Sequence, residues 1–153
     1  MDGYLRAASG ADMDILFEWA NEPSVRKNSF SIKEVSYGEH VNWFHKLMEN
    51  PNARQYIYMY EGKETGQIRL TVSGKTAEIG YSVCKEKRGQ GHGRSILKLV
   101  CGQAKKDFPQ LEELSGKVKP ENTASREAFL GAGFREDIAD KGLDYVIYKN
   151  RYE

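Results

Sequence analysis

Residues 83–94 read Val-Cys-Lys-Glu-Lys-Arg-Gly-Gln-Gly-His-Gly-Arg and lie between an alternating strand pattern and a helical apolar pattern. Glycines at 89, 91 and 93 allow a tight turn whose main-chain N–H groups converge on an anion, and the positive end of the following helix dipole adds attraction. Arg88 and Arg94 flank the turn with charge, and Gln90 and His92 sit between the glycines. The chemistry this serves is the holding of a pyrophosphate. The segment lacks the Gly-Lys-Ser/Thr ending of a Walker loop, and its spacing is GxGxG, not the GxGxxG of a dinucleotide fingerprint. It is Arg-x-x-Gly-x-Gly, from Arg88 to Gly93.

That hexapeptide, following a strand that ends at Val83, resembles the acetyl-coenzyme A loop of the GNAT superfamily of N-acetyltransferases. A second stretch, Val118-Lys-Pro-Glu-Asn122-Thr-Ala-Ser125 through Phe129 to Gly133-Phe134, resembles the later strand, helix and Gly-Phe segment of the same family. The two segments stand in the family's order and at its separation. The resemblance implies an acetyl-CoA-dependent N-acetyltransferase without a metal. It also implies that Arg88, Gly89, Gln90, Gly91, His92, Gly93 and Arg94 form the coenzyme turn, with Asn122 and Ser125 as further coenzyme contacts.

The elements that must position these residues follow from periodicity. Tyr4 to Ala8 reads as a first strand. Ser9-x-x-Asp12 then resembles a capping box ahead of a helix with Ile15, Leu16 and Trp19 on one face, which Asn21-Glu22-Pro23 ends. After a polar loop, Ser24 to Val35, a second box, Ser36-x-x-Glu39, opens a helix carrying Val41, Phe44, Leu47 and Met48, stopped at Asn50-Pro51. Residues 55–60, 64–72 and 76–84 alternate as an antiparallel meander broken at Glu61-Gly62-Lys63 and Ser73-Gly74-Lys75. Gly93 to Phe108 is a helix with Ile96, Val100, Ala104 and Phe108 on its sheet-facing side. Residues 113–118 read as a parallel crossover strand, Asn122 to Ala132 as a helix, and 134–138 with 145–149 as a closing hairpin. The expected fold class is therefore mixed α/β, and the order matches the GNAT topology. That topology implies a twisted, mostly antiparallel sheet splayed at the strands before and after the third helix, flanked by about four helices, over one domain spanning residues 1–153.

Composition narrows the setting. A chain of 153 residues with net charge +1 and interspersed basic and acidic residues carries no nucleic-acid footprint. The sequence shows no apolar h-region at its start and no run of roughly 18 apolar residues, so a soluble, cytoplasmic protein without a membrane partner is expected. Cys84 and Cys101 stand without a CxxC or a His at ligand spacing, which argues against a disulfide or a zinc site.

Acetyl transfer needs a polarised thioester carbonyl, a neutral amine, and a stabilised or protonated thiolate. Carried over from the family, Val83 and its neighbours bind the pantetheine arm, and the Val83 N–H is the candidate donor to the thioester oxygen. A lysine-like amine is neutral in roughly one molecule in two thousand at pH 7. Glu78 lies in the strand ahead of Val83, where several family members carry a glutamate base. It reads either as that catalytic base, acting directly or through water, or as a solvated strand residue. The family's usual tyrosine, four residues before the Gly-Phe glycine, is here Phe129, which has no exchangeable proton. Ser125 lies one helical turn before it and Asn122 at the helix start, where an N-cap and a coenzyme contact are compatible. The His92 side chain is expected to point to solvent or to the adenine-phosphate end. Tyr56, Tyr58 and Tyr60 share one strand face, as packing or as pocket wall.

The acceptor is read from the N-terminal text. Trp19-Ala-Asn-Glu-Pro-Ser-Val-Arg26-Lys-Asn28-Ser29-Phe30, with Glu39-His40-Val41-Asn42-Trp43-Phe44, resembles the family members that acetylate amino groups on nucleotide-linked sugars in pseudaminic-acid and related surface-glycan pathways. On that reading Arg26 meets a nucleotide diphosphate, Asn28 and Ser29 meet sugar hydroxyls, and Phe30 or Trp43 stacks. The same segment also reads as a plain surface loop. In looser form it resembles enzymes that acetylate ribosomal-protein N-termini, and a polyamine or other small amine is a further alternative. A catalytically silent coenzyme-binding sensor, or a phosphate module for another nucleotide, are the non-enzyme alternatives. A homodimer is expected through an exposed sheet edge at Tyr145 to Tyr148.

Overall fold

The computed structural model describes residues 2–137 and 145–153. Its centre is a seven-stranded sheet in the order β1-β2-β3-β4-β5-β7-β6. The strands are β1 (Tyr4–Ala7), β2 (Ala53–Tyr60), β3 (Lys63–Ser73), β4 (Thr76–Val83), β5 (Glu113–Val118), β6 (Arg135–Asp137) and β7 (Val146–Arg151). All neighbours are antiparallel except β4 and β5. The helices are α1 (Met13–Ala20), α2 (Pro23–Asn28), α3 (Tyr37–Glu49), α4 (His92–Asp107) and α5 (Thr123–Gly131). The mixed α/β class and the sheet-and-helix order agree with the reading of the sequence.

Two apolar layers cover the sheet. On one face Ile96, Leu97, Val100 and Ala104 of α4 pack against Tyr56, Tyr58, Ile68, Leu70 and Ile79, and Phe129 of α5 joins Phe134 and Tyr148. On the other, Leu16 of α1 and Phe44 of α3 meet Ile57 and Met59. Tyr56 and Tyr58 are thus core residues, and Tyr60 packs partly buried against the same cluster. The first face carries most of the apolar burial that opposes chain entropy.

Local signals explain the element starts. Ser36 accepts a hydrogen bond from the Glu39 N–H at 3.2 Å, and its hydroxyl donates to the Glu39 carboxylate at 2.9 Å. The Asp12 carboxylate accepts from the Ser9 N–H at 2.8 Å and takes both ends of the Arg6 guanidinium at 2.8 Å, tying β1 to the start of α1. This fork holds the Asp12 carboxyl below its ordinary pKa.

Two expectations are corrected. The stretch from Ser24 is not loop throughout, because α2 occupies Pro23–Asn28. Pro23 fixes the backbone at the first helical position, and the Glu22 carboxylate accepts the Val25 N–H at 3.3 Å, so the residues that end α1 also start α2. Nor is Tyr145 to Tyr148 a sheet edge. Strand β7 lies between β5 and β6, with Tyr148 opposite Gly116 on one side and Glu136 on the other. The edge is the short, charged β6, a form that resists pairing with another chain. Ile138, expected in that strand, lies outside the described residues. Among those residues no helix is long and apolar enough to cross a membrane.

Gly116 in β5 faces the Phe129 ring, and a Cβ there would meet its Cζ at 2.3 Å. Because the ring is walled by Tyr148, stacked at 5.3 Å, and by Phe134 at 5.1 Å, it cannot step aside. Gly116→Ala is expected to lower stability by about 1–3 kcal/mol through overpacking, read as a lower urea midpoint with an unchanged slope.

Candidate active site

The site begins where β4 and β5 part. They pair in parallel from Thr76–Glu113 to Ile79–Gly116, after which β4 continues only with β3 and β5 only with β7. The Cys84 N–H donates to Thr65 O across β3 at 2.8 Å. By strand alternation the N–H and C=O of Val83 point the other way, into the gap. The Val83 oxygen accepts from Arg88 Nε at 3.0 Å, which leaves its N–H as the group free to meet a carbonyl.

Beyond Val83 the chain makes the glycine turn and enters α4. Gly89 and Gly91 have φ of 76° and 87°, the left-handed region that favours glycine. Gly93 serves a different need: a Cβ there would lie 3.4 Å from the Tyr81 ring and 3.5 Å from Ala128, so its bareness lets α4 approach β4 and α5. The first-turn N–H groups of α4 have no partner within the helix and stand at the end where the turn pattern expects an anion. Arg94 lines the cleft, its stem lying over Gly131.

Two turn residues behave differently from their sequence reading. Arg88 does not offer a spare charge to an anion. Its guanidinium donates to Ser24 Oγ at 2.5 Å and to Glu22 Oε2 at 2.8 Å, fastening the turn to the start of α2. The Ser24 hydroxyl and then Arg88 pull the Glu22 pKa down to about 2. His92 does not point to solvent. Its ring is 1% exposed, with Nδ1 3.1 Å from the Tyr58 hydroxyl and the Tyr60 ring at 4.6 Å. Burial lowers its pKa, so the neutral ring packs under the turn and only its main chain is left for the anion that the sequence pattern expects there.

The cleft encloses about 1080 Å³ and runs from this turn along β4 to Glu78, past the end of β5, the start of α5 and the α2 wall. Glu78 lies in it, 55% exposed at the side chain and 3.8 Å from Lys117 Nζ. Asn122 caps α5, its Oδ1 accepting from the Ser125 N–H at 3.3 Å. Ser125 Oγ lies 2.9 Å from the Tyr81 hydroxyl, and burial raises the Tyr81 pKa. Phe129 lies beside them, its ring 5.7 Å from that of Tyr81. The position without a hydroxyl on α5 is thus flanked by two hydroxyls, one from β4 and one from the preceding turn of α5. Tyr81 carried no separate signal in the sequence, where it is one of the alternating residues of a strand.

The acceptor-side expectations divide. Asn28 and Phe30 line the cleft, Phe30 56% exposed and edge-on to Tyr145 at 5.6 Å. Arg26 is not available for a diphosphate: it donates to Ala20 O at 2.6 Å, Lys33 O at 3.1 Å and Ser31 O at 3.2 Å, closing its own loop. Ser29 turns its hydroxyl back to Val25 O at 2.6 Å. Trp43 lies outside the cleft, against His40 at 5.2 Å and beneath the Arg69 guanidinium at 5.4 Å. The α2 wall is braced at both ends, by Arg88 at its start and by Lys119 Nζ on Lys27 O at 2.9 Å at its finish. Arg69, which alternation assigns to the polar face of β3, also lines the cleft. Among the described residues no cluster of His, Cys, Asp and Glu is arranged to hold a metal ion.

A family model for the acetyltransferase (GNAT) domain matches residues 4–135. The chain belongs to that family. It is accordingly an acetyl-CoA-dependent N-acetyltransferase. Solved structures share its fold at low identity. The aminoglycoside acetyltransferase AAC(6')-Ib, in complex with coenzyme A and kanamycin, has 14% identity and a TM-score of 0.82 over 98% of this chain and 95% of its own. Spermidine N-acetyltransferase from Vibrio cholerae, with CoA and spermine, has 16% identity and a TM-score of 0.81 over 96% and 92%. RimL, a ribosomal L7/L12 alpha-N-protein acetyltransferase in complex with coenzyme A, has 18% identity and a TM-score of 0.79 over 96% and 92%. No curated protein matches the sequence.

The Glu22–Arg88 tie yields a test of how the turn is held. Glu22→Gln keeps the shape and removes the charge; coenzyme A affinity by calorimetry is expected to fall about tenfold, the cost of one charge-assisted hydrogen bond. The depressed pKa also fixes a pH window. Stability contributed by this carboxylate is complete above its unfolded value of 4.5 and is lost as pH falls toward about 2, so acid unfolding should be less steep in Glu22→Gln over that range.

Proposed function

We propose that the cleft transfers acetyl from acetyl-CoA, bound at the glycine turn and in the β4/β5 gap, to the primary amine of a small acceptor seated over Glu78, and that this acceptor is a nucleotide-linked amino sugar. The observation that carries the reading is one continuous cleft joining the α4 turn, the free Val83 N–H and the Glu78 face of β4. The coenzyme fits this cradle: the left-handed Gly89 and Gly91 turn the main chain into the start of α4, where first-turn N–H groups suit a pyrophosphate, and the parted strands leave an unpaired N–H where a thioester oxygen needs a donor. The amino-sugar acceptor rests on the resemblance of residues 19–44 and on Asn28 and Phe30 lying in the cleft wall.

The coenzyme supplies the acetyl group as a thioester and leaves as a thiol. Gln90, with the main chain of residues 88–94, belongs to the phosphate cradle, and Asn122 and Ser125 to the wall of the coenzyme channel. Val83 N–H polarises the carbonyl as the amine nitrogen forms its bond to carbon and the carbon–sulfur bond breaks. Glu78 accepts the proton that the amine must shed, directly or through one water. The hydroxyl pair Tyr81–Ser125 returns a proton to the sulfur, replacing the tyrosine absent at Phe129, and is reprotonated from solvent. Tyr81 stays protonated in its buried setting, so it acts as donor.

Thiol release from acetyl-CoA against UDP-4-amino sugars, spermidine and N-terminal peptides tests the acceptor. Turnover confined to the amino sugars is expected, and turnover confined to peptides would reassign the protein to N-terminal acetylation. On the accepted substrate Glu78→Gln is expected to lower kcat/KM by about 10²–10⁴-fold. An unaltered kcat/KM would remove Glu78 as the base. The Tyr81→Phe, Ser125→Ala double variant should lose about a hundredfold in kcat while coenzyme affinity changes little, with the loss shrinking for a thioester whose thiol is more acidic.

A further inference from the structure

The floor of the acceptor end holds a cation that the transfer chemistry does not use. Arg69 sits in the middle of β3, opposite Gly80 of β4, while Thr71 stands opposite Glu78. Arg69 and Glu78 are therefore diagonal neighbours on one face of an antiparallel pair, with Cα atoms about 7–8 Å apart by ordinary sheet geometry. Gly80 makes room for the guanidinium, since a Cβ there would lie 3.4 Å from Nη2. The Trp43 ring supports it from the helix side at 5.4 Å.

Its charge is unmatched. Arg88 is paired with Glu22, and Arg26 is saturated by carbonyls. Among the described residues the Arg69 side chain makes no ion pair and no hydrogen bond, and its nearest electrostatic partner is the field of Glu78. A half-buried guanidinium with five N–H donors and no acceptor is costly unless something brings one. Its planar fork suits the oxygens of a carboxylate or a phosphate.

We propose that Arg69 binds an oxyanion on the acceptor, so that the cleft takes amines carrying a carboxylate or phosphate a few bonds from the reacting nitrogen and disfavours polycations. The proposal rests on the acetyl-transfer reading of the cleft and deepens it by naming the charge class of the acceptor. Glu78 meets the amine and Arg69 the oxyanion, which orients the molecule along the strand pair. Both a nucleotide sugar, through its phosphate, and an amino acid, through its carboxylate, present that chemistry.

The test compares matched acceptors in the wild type, Arg69→Ala and Arg69→Lys: a UDP-4-amino sugar against the same sugar as its uncharged methyl glycoside, and an α-amino acid against its amide. The wild type is expected to prefer the oxyanion member of the accepted pair. In Arg69→Ala that preference should shrink about 10- to 100-fold through KM, with Arg69→Lys recovering part of it and the KM for acetyl-CoA unmoved. Preference in the amino-acid pair alone would discard the nucleotide sugar and keep the oxyanion site. Equal losses on charged and uncharged acceptors, or a wild-type preference for spermidine, would overturn the proposal. A direct measurement stands apart from turnover: with coenzyme A saturating, titration with inorganic phosphate and with acetate should show binding that Arg69→Ala abolishes. Absence of any such binding to the wild type would also overturn it.

Discussion

Everything at the site depends on β4 and β5 pairing for only four residues before each turns to a different neighbour. A fully zipped parallel pair would bury the Val83 N–H in a ladder bond and close the channel. The parting is stabilised locally: Arg88 occupies the Val83 carbonyl, while Gly93 lets α4 and its first-turn amides lie close to Tyr81 and Ala128. Besides the cradle role proposed for it, the glycine turn holds the strand end open. Phe129 and Gly116 work from the other side, where the stack of Phe129 with Tyr148 and Phe134 holds the last turns of α5 against β5.

Much of this was legible in the sequence because it is local. Alternation in 76–84 put Glu78 and Val83 on one strand leading into the turn, the glycine spacing located the start of α4, and Asn122 announced the cap of α5. What the sequence hid is the pairing of long side chains with partners far along the chain. Arg88 is matched by Glu22 from 66 positions away, and Lys119 reaches Lys27 from 92. Both rank as spare surface charge when read singly. Helix α2 escaped because Glu22 is an unusual cap and Pro23 reads as a stop. His92 escaped because two tyrosines that meet it stand over thirty residues earlier. Strand β7 inserts between β5 and β6, an order that a hairpin pattern alone does not contain.

The hydroxyl at the reacting end shows how a missing residue type is replaced in space. Phenylalanine at 129 completes an apolar stack with Phe134 and Tyr148, which a phenol would enter only with its hydroxyl satisfied. A hydroxyl on Tyr81 of β4 instead stands in hydrogen-bond contact with Ser125, and position 129 brings none into the stack. On the proposed mechanism the Tyr81–Ser125 pair supplies the proton while Phe129 is left to packing.

The charges along the floor bear on the amine itself. Lys117 stands 3.8 Å from Glu78, and Arg69 lies diagonally across the strand pair. An ammonium entering this end meets one carboxylate and two cations, and like charges within a few ångströms favour its neutral form. The nucleophile is the neutral amine, so the same cations that would repel a polyamine ease the deprotonation that transfer requires. An oxyanion on the acceptor offsets the repulsion during binding while leaving that effect on the nitrogen in place. The arrangement therefore separates attraction for the molecule from stabilisation of its unreactive, charged state, which a floor of carboxylates alone cannot do.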